Sequence, residues 1–406
     1  MAAQVSMISR WERRSRTRTG DISVAANRSK SRLGKRLLLY AGATAAVLVI
    51  ALALVFSALS ERQKAVWEVQ ACELVTADSG VYLLSGSSGL SLWGSFGKFA
   101  SIPESTIDAA LGSGCLAIQG ERVLQFAEVT PQGALIPDWT APCSSDERLL
   151  SCDDSGVVLT ARPQEGLKYG EMWILRAIGP GGSTVWEESL PGIPQIVSSS
   201  PTTVLAGLVD LSSGGLPRVW ALDRNTGRPA WSRTLPPGLW RGLGFTSSGV
   251  VVAALDTGVS AFGSDGSPLW NWNRGGPVLS ALIEGQTTYV ATPGTSGLAR
   301  ILSPYMVWAV SEAGDTVWSR SMRCRPFSLQ PLPSGKSAET EPGVAVALSS
   351  SCVVAFSMDT GRVVLFERTG GQPIRVDAGH LLLRKGRDIR LVEFRLPEAK
   401  GTKFLR

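Results

Sequence analysis

Six cysteines, one histidine and a scatter of aspartates are the side chains of this sequence that could do chemistry. Cys72, Cys115, Cys143, Cys152, Cys324 and Cys352 are even in number, and in an oxidising compartment they permit three disulfides whose pairing the sequence leaves open. In APCSSDERLLSC, Cys143 and Cys152 can close a local hairpin, and Cys324 with Cys352 can close a longer excursion; buried thiols are the alternative for each. No CxxC pair is present, so zinc and dithiol redox motifs are missing. His380, in DAGHLLLRKG, could move a proton only with partners to shape a site, and it reads as a surface or hydrogen-bonding residue. Asp223, Asp256, Asp265 and Asp359 fall at turns, as do Asp153 and Asp154 of SCDDSG, where carboxylates accept local backbone N–H groups. With no nucleophile elbow, phosphate loop or nicotinamide fingerprint, no catalytic, cofactor-binding or metal residue is assigned. Trp240 in PPGLWRGLG and Trp272 in LWNWNRGG lie near connections and are expected to be exposed. With Arg241 and Arg274 beside them, they are the candidate partner-binding residues for a polar or anionic ligand.

The positioning elements divide the chain. Residues 1–36 hold ten Lys or Arg against Glu12 and Asp21, a charge of +8; the rest carries 30 basic and 32 acidic side chains, a charge of −2. The folded part is thus nearly neutral overall, and nucleic acid is not expected as a partner. Next comes LLLYAGATAAVLVIALALVFSAL, 37–59, without a charge. As a helix it would rise about 34 Å, enough for a hydrocarbon core about 30 Å thick. The sequence therefore predicts a basic cytoplasmic tail at 1–36, a single transmembrane helix at 37–59, a linker at 60–64 and an extracytoplasmic domain at 65–406. A cleaved signal ending near Ala58-Leu59-Ser60 is the competing reading.

The domain repeats. GVYLLSGSSGLSLW, MWILRAIGPGGSTVW, VWALDRNTGRPAW, GVSAFGSDGSPLW and MVWAVSEAGDTVW each place a glycine four residues before tryptophan: Gly89/Trp93, Gly182/Trp186, Gly227/Trp231, Gly266/Trp270 and Gly314/Trp318. Weaker copies end at Trp139, at Leu365-Phe366 after Gly361, and at Phe404. The spacing gives each unit room for four short strands, and a circular array covers the strand edges. The fold class is all-β, a β-propeller of eight blades, or seven if the last copy is only a closure strand. The segment from Ala65 to Val75 could complete the last blade from the other end of the chain. PLPSGKSAETEP, 331–342, reads as an exposed loop.

ALDRNTGRPAW, AFGSDGSPLW and AFSMDTGRVVLF together resemble the quinoprotein-like, or pyrroloquinoline-quinone-like, β-propeller repeat family, over about 66–404. The resemblance implies that the recurring tryptophans dock blades together. The family includes cofactor-dependent dehydrogenases and noncatalytic envelope scaffolds. Its enzymes carry a disulfide of adjacent cysteines and a calcium site, and neither motif can be aligned here. The expectation is a noncatalytic, membrane-anchored scaffold without a cofactor, whose partner is an envelope protein or complex. A quinone-dependent dehydrogenase and a module binding cell-wall glycan are the alternatives.

Overall fold

The computed structural model describes residues 65–394, apart from 71, 79–80, 87–88, 103–105, 113, 131–133, 154, 167–171, 295–303, 333–342 and 378. The predicted tail, membrane helix and linker at 1–64, the Phe404 copy and most of the 331–342 loop lie outside these residues; Pro331 and Leu332 end a strand.

Thirty-two strands form eight four-stranded antiparallel sheets. Each sheet is a blade whose strands run from an inner to an outer position. Seven blades are continuous in sequence, the first being Cys72–Asp78, Val81–Gly86, Gly89–Gly94 and Gly97–Ser101. The eighth takes Gln372–Asp377, His380–Lys385 and Asp388–Glu393 from the end of the chain and its outer strand, Ala65–Val69, from the start. Eight blades closed by the N-terminal strand is the arrangement the repeat predicts. The correction concerns the endpoints. Trp93 lies in the third strand of blade 1, where the other tryptophans of the repeat lie in outer strands, and Trp67 of the N-terminal strand takes the outer position that the Phe404 copy was expected to fill.

Burial explains the strand compositions. Among the described residues, eight apolar clusters each join two neighbouring blades, and none runs down the axis of the ring. A second strand is covered on both faces and reads as a continuous apolar run, as in VVAAL at Val251–Leu255, which is buried throughout. Outer strands such as Pro268–Trp272 are mostly exposed.

The repeated tryptophan and glycine act across these cores. Trp186 donates its indole N–H to Arg224 O (2.6 Å), Trp231 to Ser264 O (2.8 Å), Trp270 to Glu312 O (2.6 Å) and Trp318 to Met358 O (2.8 Å). Each acceptor sits in the third-to-outer hairpin of the next blade, and that hairpin's glycine lies under the ring. Gly227 has φ +69°, and a Cβ there would stand 2.6 Å from the Trp186 ring; Gly266 has the same relation to Trp231. The glycine and tryptophan of one repeat therefore serve opposite neighbours. Removing a buried ring of this size costs about 3–5 kcal/mol and losing its N–H bond about 1, so packing is the larger part. Arg233 and Arg320, two residues beyond Trp231 and Trp318, add bonds to the carbonyls of Gly266 and Gly361.

Candidate functional site

A blade's strands alternate in direction, so its connections gather at two ends of the ring. The hairpin end carries the first-to-second turns and the third-to-outer hairpins; the connection end carries the second-to-third turns and the crossings to the next blade.

At the hairpin end the turn aspartates are occupied locally. Asp223 accepts from the N–H groups of Asn225 and Thr226 and from the Thr226 hydroxyl (2.8 Å), and the Thr226 hydroxyl foremost holds its carboxyl below the usual range. Asp265 is held low in the same way by Ser267. Asp153 accepts from Ser155 and Val157 and binds Arg224 of the next blade at 2.5 Å. These carboxylates shape hairpins, as their position in the repeat indicates.

The four candidate binding residues all lie at the connection end of blade 5, on either side of one turn. Trp240 opens the inner strand and pairs with Leu255; Trp272 closes the outer strand and pairs with Val259; Asp256 and Thr257 form the turn between. Asp256 ties both flanking crossings to that turn. Its Oδ1 accepts from Leu239 N (2.8 Å), its N–H donates to Leu239 O (2.9 Å) and its carbonyl accepts from Val278 N (2.9 Å).

The expected exposure of the two tryptophans is corrected. Trp272 is 3% exposed and packs edge-on to Trp308, with ring centroids 5.7 Å apart. Trp240 is half-buried, its ring where a Cβ on Gly207 would lie and its N–H on Leu208 O at 3.3 Å. Both rings fill the wedge between blades, and closeness to a connection in sequence does not bring a ring out of that wedge. Arg241 and Arg274 are exposed, and among the described residues neither makes an ion pair. Arg241 is also the residue left over at a bulge in the inner strand, where the pairing jumps from Trp240 to Gly242, and a bulge re-aims a side chain.

These two arginines begin a longer basic rim that sequence reading missed. Continuing around the connection end, Arg323 and Arg325 flank Cys324 in the crossing from blade 6 to blade 7, Arg368 ends the outer strand of blade 7, and Lys385 and Arg387 stand at the second-to-third turn of blade 8. All seven cations are exposed, and among the described residues none forms an ion pair. The carboxylates at the same end of these blades, Asp256, Glu367 and Asp388, are less exposed. On the other side of the ring, Glu73, Glu121, Asp146 and Glu165 are exposed at this end with Arg122 and Arg148 among them. The near-neutral sum of the domain conceals this segregation. Like charges gathered at one end of four blades raise the local potential and favour an anionic partner. Leu239, 65% exposed, and Pro236 and Pro237 give the rim an apolar edge at blade 5.

With the geometry in hand, residues 215–384 match a family model described as "Outer membrane protein assembly factor BamB". Over these residues the repeat is PQQ-like. They run from the third strand of blade 4 into blade 8 and include the rim from Arg241 to Arg368, with Lys385 and Arg387 just beyond. Among solved structures, the chain resembles BamB from Moraxella catarrhalis, with 15% identity, a TM-score of 0.50, and coverage of 82% of this chain and 100% of that one. It also resembles Saccharomyces cerevisiae Sqt1, with 10% identity, a TM-score of 0.56, and coverage of 82% and 98%. At these identities the likeness is one of fold. No curated protein matches the sequence.

Proposed function

We propose that this protein is a noncatalytic assembly scaffold of the cell envelope, held to the membrane by one helix at 37–59 with its N-terminus cytoplasmic, and that its propeller docks an acidic face of an envelope protein on the basic rim. The observation that carries the reading is the rim itself, seven exposed cations without ion pairs among the described residues, mounted on turns that Asp256 and the inter-blade cores hold fixed. A surface already ordered before contact loses little entropy on binding. The match of residues 215–384 to an assembly-factor family and the likeness to the Moraxella protein support the scaffold class. The charge-free 37–59 segment behind a +8 tail supports the anchor.

The test places a photo-crosslinking residue at Leu239, on the apolar edge of the rim, in the full chain in intact membranes, with Phe96, a fully exposed residue at the hairpin end, as the control. Crosslinks to one defined protein from the rim, weakening about tenfold with Arg241→Glu plus Arg274→Glu and with added salt, are expected. Crosslinking from Phe96 alone, or recovery indifferent to charge reversal, overturns the proposal. Protease protection of residues 1–36 in intact cells, with the propeller accessible, tests the topology separately.

A further inference from the structure

The six cysteines resolve into unequal sets. Cys324 and Cys352 form a disulfide that closes the crossing into blade 7 onto the third strand of that blade. The expected Cys143–Cys152 pairing is corrected. Cys143 precedes the inner strand of blade 3, Arg148–Cys152, and Cys152 ends it, so the two stand at opposite ends of the ring. Five residues of extended chain separate the ends of that strand by roughly 13 Å, well beyond the reach of a disulfide. Cys143 Sγ instead lies at 3.6 Å from Gly120 O, in the turn of blade 2 at its own end.

Cys152 has a different neighbour. Cys115 opens the second strand of blade 2, Cys115–Gln119, and its Sγ lies 3.2 Å from Cys152 Sγ, across the interface between blades 2 and 3. Both are buried, at 2% and 8% exposure, among Ala117, Phe126, Leu149 and Val158. The backbone makes room for them: Gly112 pairs with Cys115, and a Cβ on it would stand 2.8 Å from Cys115 Sγ and collide with Cys152 O. Cys115 also lines a cavity of about 320 Å³ beside Phe126, Glu128, Ser155 and Pro180.

We infer that Cys115 and Cys152 are a second disulfide site, joining blade 2 to blade 3. The inference rests on the envelope placement above, since an oxidising compartment supplies the oxidant, a small or protein disulfide of the thiol-exchange class. Cys115, at the cavity, attacks that disulfide as thiolate, forming a mixed disulfide and releasing one oxidant thiol. Cys152 then attacks Cys115 Sγ, the Sγ–Sγ bond forms and the second oxidant thiol leaves. Two protein thiols become one disulfide, and the oxidant takes up both electrons and both protons. The hydrogen bond between the two thiols, and then burial, push the Cys152 pKa up, so the pair reacts most readily while the chain is still folding. Cys72 and Cys143 stay as thiols.

Trypsin separates the relevant cysteines, with Cys115 in 99–122, Cys143 in 123–148 and Cys152 in 149–168. Full-length protein is taken from membranes, its thiols are blocked under denaturing conditions without reductant, and it is digested and weighed. The expected result is two blocked cysteines, at 72 and 143, with peptides 99–122 and 149–168 joined and the joining unchanged by Cys143→Ser. Four blocked cysteines with only Cys324–Cys352 oxidised overturns the inference while leaving the compartment intact. Six blocked cysteines instead overturns the compartment. In that event, refolding the purified chain in a glutathione redox buffer decides the site: a Cys115–Cys152 link supports it, and its absence while Cys324–Cys352 forms overturns it.

Discussion

From blade 3 to blade 7, four interfaces repeat one contact, an outer-strand tryptophan seated on the next blade's hairpin glycine with its N–H on that hairpin's carbonyl. The seam around blade 8 is built differently on each side. Toward blade 1 only the hydrogen bond survives, and its tryptophan comes from the N-terminal strand: Trp67 donates to Gly94 O at 2.7 Å and packs against Trp93, 5.0 Å between centroids, while a Cβ on Gly97 of that hairpin would meet nothing within 4 Å. Toward blade 7 it is gone. Leu365 and Phe366 stand in place of tryptophan, and Phe366 is 50% exposed. Blade 8 has no third-to-outer hairpin, because its third strand ends at Glu393 and its outer strand begins at Ala65; among the described residues no turn carbonyl or positive-φ glycine waits there for an indole. The tryptophan is thus a partner to a hairpin more than a general filler of wedges, and it is absent where the hairpin is absent.

The comparison can be broken most severely at the seam. Replacing residues 65–69 with a Gly/Ser run of equal length would expose Asp388–Glu393 as an open edge and remove Trp67. We expect loss of the cooperative thermal transition together with aggregation on gel filtration; an unchanged melt would mean that the ring does not depend on this strand. In the repeated arc, Gly227→Val should cost about 3 kcal/mol or more, since it adds both a positive-φ side chain and a collision with Trp186. Gly386→Val is the matched control, with φ +67° but open space around it, and should cost only the backbone strain, about 1–2 kcal/mol by denaturant titration. Equal costs would remove the ring contact from the explanation. Next in size, Trp318→Phe should lose about 1–2 kcal/mol by the same titration, the N–H bond to Met358 O and part of the ring. Leu365→Trp should gain nothing, and a clear gain would contradict the hairpin rule.

The smallest effect concerns acid. Burial would raise the Asp210 pKa, but hydrogen bonds from Ser212 and Ser213 and the charge of Arg218 outweigh it and hold the carboxyl below its ordinary value. A carboxylate depressed in the folded state adds stability above its unfolded pKa of about 3.9, and that contribution is lost as pH falls through the lower folded value. Asp210→Asn should therefore destabilise at pH 7 and lose its effect as pH falls through the lowered folded-state pKa of Asp210. A pH-independent difference between the variant and the parent would show the ionised form to be immaterial.

How much of this was legible in the sequence follows the same division. The arc was readable because the hairpins of blades 4, 5 and 6 each carry a glycine, a turn aspartate and a tryptophan within one short stretch, as in ALDRNTGRPAW. The seam was only half readable. Ala65–Val75 could be seen as a closing strand, but Trp67 has no glycine four residues before it, its hairpin partner being blade 1, so a search for the repeat passed over it and reached Phe404 instead. The site was less legible still. Arg241 and Arg274 could be picked out beside their tryptophans, yet Arg323, Arg325, Arg368, Lys385 and Arg387 are far apart in sequence and meet only because every crossing returns to one end of the ring. Cys115 and Cys152 are hidden in the sequence for a like reason: Cys143 is the nearer cysteine in the chain, and the inner strand carries Cys152 away from it to the other end of the ring.

The outer strand of blade 8 imposes an order on biogenesis. Ala65–Val69 is among the first parts of the propeller to leave the ribosome, and Glu68 meets Arg390 only after 322 more positions have been made. At common translation speeds that interval is on the order of tens of seconds. Throughout it, a bare strand bearing Trp67 stays unsatisfied, so the first piece synthesised is the last to find its place, and any factor that shields nascent segments would have most to do there.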